Sequence, residues 1–266
     1  MIEISANFTP QANPDAKKAS IQHFLEYSGS AKGIVQEYRL IQRTSRVFNE
    51  ARKATGLSSS KTLDVLESKF GDGWKIIGPA SIPAFTLNAY NTVSDLKNET
   101  SVPGGLGRKI MKVFRDVGET LALYFNVGFF LAGNKLLGTV ASFPDFVSDA
   151  ADLQIAATDL HLSRMSEKKA ENFPDKVKEN IKHTKYLAMI RVAKAICSVV
   201  GGIFGILAFA FGIAILPLLA LAVISLSSTV FSIGGHAYKV TRPYEMIDFF
   251  NPKNITVQSS LKPIIA

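Results

Sequence analysis

From Ala195 to Tyr238 the chain runs for 44 residues without a charged side chain, interrupted by a single proline, Pro217. A helix crosses the hydrocarbon core of a bilayer in about 20 residues. One straight helix would therefore be far too long, whereas two helices folded back at Pro217 fit. The first lobe, 195–216, holds 12 Leu, Ile, Val and Phe residues, worth about −4 to −7 kcal/mol on an insertion scale before its glycines are counted. The second lobe, 218–235, holds nine such residues but also Ser225, Ser227, Ser228, Thr229 and Ser232. It is weaker and depends on pairing with the first. Gly201 and Gly205 make a G-x-x-x-G step with Gly212 further along, and Pro217 removes a backbone donor at the apex. These four residues are the expected packing positions of a hairpin, either transmembrane or re-entrant.

Flanking charge favours two crossings over one. Lys176, Lys178, Lys182, Lys185, Arg191 and Lys194 precede the run, and Lys239, Arg242 and Lys253 follow it. Basic flanks on both sides place both ends in one cytosol. The whole chain carries 30 Lys and Arg against 22 Asp and Glu, a formal charge of +8, which favours anionic partners. Anionic lipid headgroups are the expected ones, contacted by Arg39, Arg43, Arg46, Arg52, Lys109, Arg115, Lys185, Arg191 and Lys194. A cytosolic protein partner and self-association stay open. The rival reading is a soluble helical toxin or pore former that stores the hairpin in a bundle.

The rest of the chain reads as helix, giving an all-α bundle. Ile34, Tyr38, Ile41 and Phe48 follow a helical stripe expected to make core contact in a bundle, with a membrane-surface helix as the alternative; Gly56 stops it, and "SSSKTLDVLESKF" restarts a capped helix. "GWKIIGPASIPAF", with Pro79 and Pro83, reads as a connector in which Trp74 packs or anchors at an interface. "NETSVPGGLGRK" is the clearest linker. It separates an N-terminal cytosol-facing helical region, 1–100, from a glycine-rich amphipathic region, 101–175, followed by the basic flank and hairpin, 176–240, and a short tail, 241–266. Residues 120–134 carry no charge but are short for a span, so core helix and membrane helix both fit. A further amphipathic helix is expected between Pro144 and Pro174.

Catalytic patterns are missing from the sequence. His23, His161, His183 and His236 are scattered, and the lone Cys197 lies in the apolar run. No metalloprotease, nucleophile-elbow, P-loop or Rossmann spacing occurs. The expectation is a non-enzyme without cofactor or metal. Asp145, Asp152 and Asp159 recur at sevens, the pattern of a solvated helix face. Nucleic acid is disfavoured, because the basic charge flanks an apolar run and no base-stacking motif accompanies it. The N-terminus "MIEISANFTPQANPDAKK" lacks an apolar h-region and a cleavage site, so no cleaved secretory signal is expected.

The bilobed run 195–238 with its basic flanks resembles the chlamydial inclusion membrane proteins. That resemblance implies a secreted bacterial effector that inserts paired segments in a vacuole membrane, keeps both ends in host cytosol, and shapes membrane or recruits host proteins. The order of an early amphipathic helix, the glycine-rich segment "VGETLALYFNVGFFLAGNKLLG" and a late apolar region is also similar to the peroxisomal peroxin-eleven membrane-elongation family. Here Phe125 stands before Asn126 where that family carries an acidic residue, and the hairpin is longer.

Overall fold

Ser30 opens the first long helix by accepting the Gly33 N–H on its hydroxyl at 3.0 Å, and the chain then stays helical from Ala31 to Ala54 (α1). Gly56, at φ +78°, ends it in the left-handed conformation that glycine adopts without strain. The restart at Lys61–Asp72 (α2) is fastened to α1 by Asn49, which donates to Asp64 at 2.8 Å and accepts the Ser60 N–H. The structure, a computed structural model, describes residues 2–5, 8–13, 22, 26–27, 30–72, 74–98, 102, 104–133, 135–211, 217–251 and 253–257. Five further helices follow: Trp74–Asp95 (α3), Gly105–Ala132 (α4), Lys135–Lys168 (α5), Asp175–Phe211 (α6) and Leu218–Val240 (α7).

Helices α3 to α7 run alternately up and down, each antiparallel to the one before. The ladder of contacts along α5 and α6, from Lys185–Glu167 through Arg191–Asp159 and Lys194–Asp152 to Gly202 against Phe146, fixes one such register. His183–Tyr238, Gly235 against Ile190 and Ser198–Ser228 fix the next. Helix α1 packs on α7 and touches α3, so six helices close a ring. Helices α4 and α5 approach closely at Gly118, where a Cβ would lie 2.7 Å from the Pro144 carbonyl oxygen. Below the ring, an apolar plug of Ile4, Ala170, Val177, Ile181, Ile247 and Phe249 is covered by a two-stranded antiparallel ribbon, Ile2–Ile4 (β1) with Ile255–Val257 (β2). The described N- and C-terminal segments thus meet at the end of the ring where α5 turns into α6.

The architecture is the all-α bundle with a two-helix apolar hairpin that the sequence implies. Four local expectations are corrected. The stretch read as a connector is the first half of α3, with Pro79 and Pro83 inside the helix. Proline forfeits one helical hydrogen bond there, and packing against α4 holds the helix across the gap. Helix α5 begins nine residues before Pro144 rather than at it. The apolar stripe of α1 does not point inward: Ile41 and Phe48 are exposed, while Gln36, Ser45 and Asn49 are buried. The aspartates at sevens do not form a solvated face either, because Asp152 and Asp159 are buried, the latter 1% exposed. Both reversals have one cause. The polar sides of these helices face the inside of the ring, and large apolar side chains such as Tyr90, Leu131, Phe143, Ile203 and Val230 face out.

The hairpin itself is less symmetrical than the G-x-x-x-G step suggests. A Cβ on Gly201 would meet Ile224 of α7 at 3.6 Å, but one on Gly205 would meet nothing within 4 Å among the described residues. Gly205 is therefore not an interface residue, and Gly235 takes its place in the close approach. Pro217 is the N-cap of α7, and Gly212 lies outside the described residues. Gly201→Leu should loosen α6 from α7 by about 1–2 kcal/mol, whereas Gly205→Leu should be close to neutral. Equal loss of protease resistance in the two single variants would put both glycines at the interface after all.

Candidate functional site

The inside of the ring is charged. Arg108 of α4 meets both oxygens of Asp159 of α5 at 2.7 and 3.0 Å, and Arg191 of α6 reaches the same carboxylate at 3.1 Å. One level nearer the hairpin, Asp152 accepts from Lys194 at 3.1 Å and Arg191 at 3.4 Å, with Arg115 at 3.8 Å. Arg115 also donates to Asp116 at 2.7 Å, and Asp116 accepts the Thr92 hydroxyl of α3 at 2.6 Å. Four helices are thereby stitched by one continuous network. Buried carboxylates of this kind persist only when paired and hydrogen-bonded.

Above this network lies a cleft of about 650 Å³. Its walls come from α1, α3, α4, α5, α6 and α7, and its lining mixes charges of both signs: Arg39 and Arg43 on α1, Asp145, Asp149 and Asp152 on α5. Arg43 has no carboxylate at ion-pair distance among the described residues. Its Nη1 donates to the Ser225 carbonyl at 2.7 Å and to Thr229 Oγ1 at 2.6 Å, which ties α1 to the first half of α7. Burial, then the neighbouring Arg39 charge, lowers its pKa to about 10. Asp149 is the other outlier: burial and then the Asp145 charge push its carboxyl up to about 7. At Asp152 burial acts in the same direction but is outweighed by Lys194, Arg191 and Arg115, which together hold that carboxyl down at about 2. Among the described residues no group of three or more His, Cys, Asp or Glu is placed to hold a metal ion.

No family model, curated protein or solved structure matches the chain. The reading of this site rests on its own geometry.

Of the nine basic residues expected at lipid headgroups, Arg39 and Arg43 line the cleft, and Arg115, Arg191 and Lys194 line it while serving the ion network. Lys109 donates to the carbonyls of Asp95 and Asn98 and closes the α3–α4 connection, and Lys185 pairs with Glu167 at 2.6 Å. Arg52 donates to the Ser58 carbonyl at 3.0 Å in the turn after α1. Arg46 is exposed. Three of the six basic residues before the hairpin, Lys185, Arg191 and Lys194, are thus turned to acidic partners on α5. Sequence reading missed those partners, although a signal was present: Arg108 and Arg115 are spaced as Asp152 and Asp159 are, on consecutive helices, and one antiparallel register pairs both.

The two shifted aspartates have opposite effects on stability. Asp149 in the folded chain keeps a proton that the unfolded chain releases near 3.8, so its contribution falls as pH rises from 3.8 to about 7. Asp152 contributes stability above 3.8 that is lost as pH falls toward 2. Asp149→Asn should therefore flatten the decline of the unfolding midpoint across the first window. Parallel midpoint-versus-pH curves for the variant and the parent would refute the assignment.

Proposed function

We propose that the chain is an integral membrane protein in which α6 and α7 form the inserted hairpin and the helical ring holds a polar chamber at the membrane surface, acting by binding rather than by chemistry. The observation that carries this is the outward face of the hairpin. Among the described residues two helices are long and apolar enough to cross a membrane, Asp175–Leu207 and Leu218–Val240, and only 6% and 22% of their apolar windows are buried. A bundle that stores its hairpin in water would cover those windows. The charged interior supports the same reading, because ionisable groups at membrane level face a bundle interior or a water-filled cavity.

Membrane bending by basic surface helices is the weaker role, since Arg39, Arg43 and Arg115 line the cleft, which leaves Arg46 and Lys53 as the exposed cations of α1. Recruitment of a cytosolic partner and placement in a vacuole membrane rest on the resemblance alone. Alkaline carbonate extraction of the expressed full chain tests insertion: the protein should stay with the membrane pellet. Quantitative release to the supernatant would return the hairpin to the soluble reading. A cysteine in place of Lys185 and one in place of Lys253 should react with an impermeant reagent from the same side, and labelling from opposite sides would leave a single crossing.

A further inference from the structure

The charges of α4 and α5 are gathered on the cleft. Arg115, Asp116 and Glu119 are the charged residues of 113–132 and Asp145, Asp149 and Asp152 those of 136–152, and every one of them lines it. Apart from Asp145, the exposed positions of these stretches among the described residues are apolar or aromatic. They include Leu121, Tyr124 and Leu131 on α4 and Leu136, Phe143 and Val147 on α5, each between 43% and 67% exposed. Asp145 stands two residues from both Phe143 and Val147, on the other side of the helix. Hydroxyls along the same stretch are spent within the protein: Thr120 donates to the Asp116 carbonyl at 2.7 Å, Tyr124 shares a hydrogen bond with Thr86 at 3.1 Å, and Ser142 donates to the Gly138 carbonyl at 3.3 Å. Polar groups turned to a cavity and apolar side chains turned outward are what hydrocarbon requires of a bundle with a charged interior.

These outward faces stand beside the hairpin. Helix α5 lies along α6 through Asp159–Arg191, Asp152–Lys194 and Phe146 against Gly202, and α4 lies along α5 through Gly118 at Pro144 and Gly138 at Phe129. Gly133, in the turn between α4 and α5, is 13 residues from Phe146, and Pro217 is 15 from Gly202, so both turns come to the same end of the ring. Ile196 and Ile203 continue the outward face on α6. From Phe114 to Ala132 α4 measures about 28 Å, against about 30 Å of hydrocarbon in a bilayer. We infer that α4 and α5 form a second membrane-crossing hairpin beside α6 and α7, with lipid hydrocarbon on its outward face. The inference rests on the integral-membrane reading of α6 and α7 and extends it. A bilayer that takes α6 from Ala195 onward meets the packed α4 and α5 as well, and the chamber then runs from Lys239 at the surface to Asn126 at bilayer depth. One-sided charge also explains why 120–134 does not read as a span, because the cleft side of α4 lowers the mean hydropathy of a helix whose outer side is apolar. The face ends at α1 and α2, across the ring, where Arg46, Lys53, Lys61 and Lys69 are exposed.

Single cysteines are placed in the full-length Cys197→Ser protein, since Cys197 is the one cysteine of the chain. In sealed vesicles from expressing cells whose Lys185→Cys reacts with an impermeant maleimide from outside, Leu136→Cys should stay unlabelled until the vesicles are opened, and then react. Reaction of Leu136→Cys alongside Lys185→Cys in intact vesicles, or no reaction after opening, would overturn the crossing. Nitroxides attached at Leu121→Cys and Phe143→Cys, in liposomes of phosphatidylcholine and phosphatidylglycerol, read what covers the face. Both are exposed positions, where a substitution leaves the fold intact. Collision with oxygen, which partitions into hydrocarbon, should exceed collision with a water-soluble nickel chelate. The reverse order would put the face in water, and slow collision with both would put another protein surface on it, a second copy of the chain included; either result removes the lipid contact. Carbonate extraction separates this inference from the reading it rests on. Release of the chain to the supernatant sinks both, whereas a chain that stays in the pellet while Leu136→Cys reacts from the Lys185 side sinks the second hairpin alone.

Discussion

Asp159→Ala should destabilise the fold by about 3–5 kcal/mol, the cost of leaving buried cations without their partner. The carboxylate is 1% exposed and is shared by Arg108 of α4 and Arg191 of α6, so its removal strands Arg108 and leaves Arg191 only its longer contact with Asp152 at 3.4 Å. Arg108 also lies over the Phe250 ring at 4.7 Å, and through it the network reaches the apolar plug beneath the ring. The loss should therefore spread from α5 to the terminal ribbon rather than stay local. Unfolding of purified Asp159→Ala, followed by urea or heat in detergent, measures the change directly. Adding Arg108→Met to the alanine variant should recover a large part of the loss, because apolar groups of similar volume commonly replace a buried pair at little cost. A loss below about 0.5 kcal/mol would place Asp159 among ordinary surface substitutions and take the network out of the stability account.

What the sequence made legible was what local chemistry or simple length determines. Gly56 stops α1 because its left-handed φ is a property of one residue. Ser59 and Ser60 restart the chain at α2 through contacts with Asp64 only a few residues away. The hairpin follows from counting apolar residues against the thickness of a bilayer. The direction each helix faces was not legible, since it depends on what the opposite side of the ring supplies. Asp152 and Asp159 present the same periodic pattern whether they meet water or Arg115 and Arg108, and only the register of α4 against α5 decides between them. Pro79 and Pro83 were misleading for a related reason: local propensity marks a break, and packing of α3 on α4, through Thr92 and Asp116 and through Thr120 and the Phe85 carbonyl, overrides it. The candidate cleft was invisible in sequence for the same cause, as its lining comes from six helices spread between Tyr27 and Met246.

Ile203→Arg should sharply reduce membrane insertion of the hairpin, and the size of that effect distinguishes lipid from water around α6. Ile203 lies inside the first apolar lobe and is 41% exposed, so its side chain meets whatever surrounds the helix and not a neighbouring helix. Arginine near the centre of a span is disfavoured by about 3 kcal/mol relative to an apolar residue on an insertion scale, roughly a hundredfold in the inserted-to-excluded ratio. That removes about half of the favourable insertion energy of the lobe, which leaves the paired second lobe, with its five hydroxyl residues, too weak to hold the hairpin by itself. In water the same change would add a solvated charge to an exposed apolar surface and be harmless or solubilising. Gln154→Arg on the exposed face of α5 serves as the control, since it lies outside the apolar lobes and should shift neither insertion nor stability by more than about 0.5 kcal/mol. Glycosylation-site mapping of the hairpin in microsomes reads the inserted fraction in each variant. If Ile203→Arg inserts as well as the parent, or if the full chain becomes more soluble without detergent, the outward apolar face of α6 is not a lipid face and the integral-membrane reading fails at its central observation.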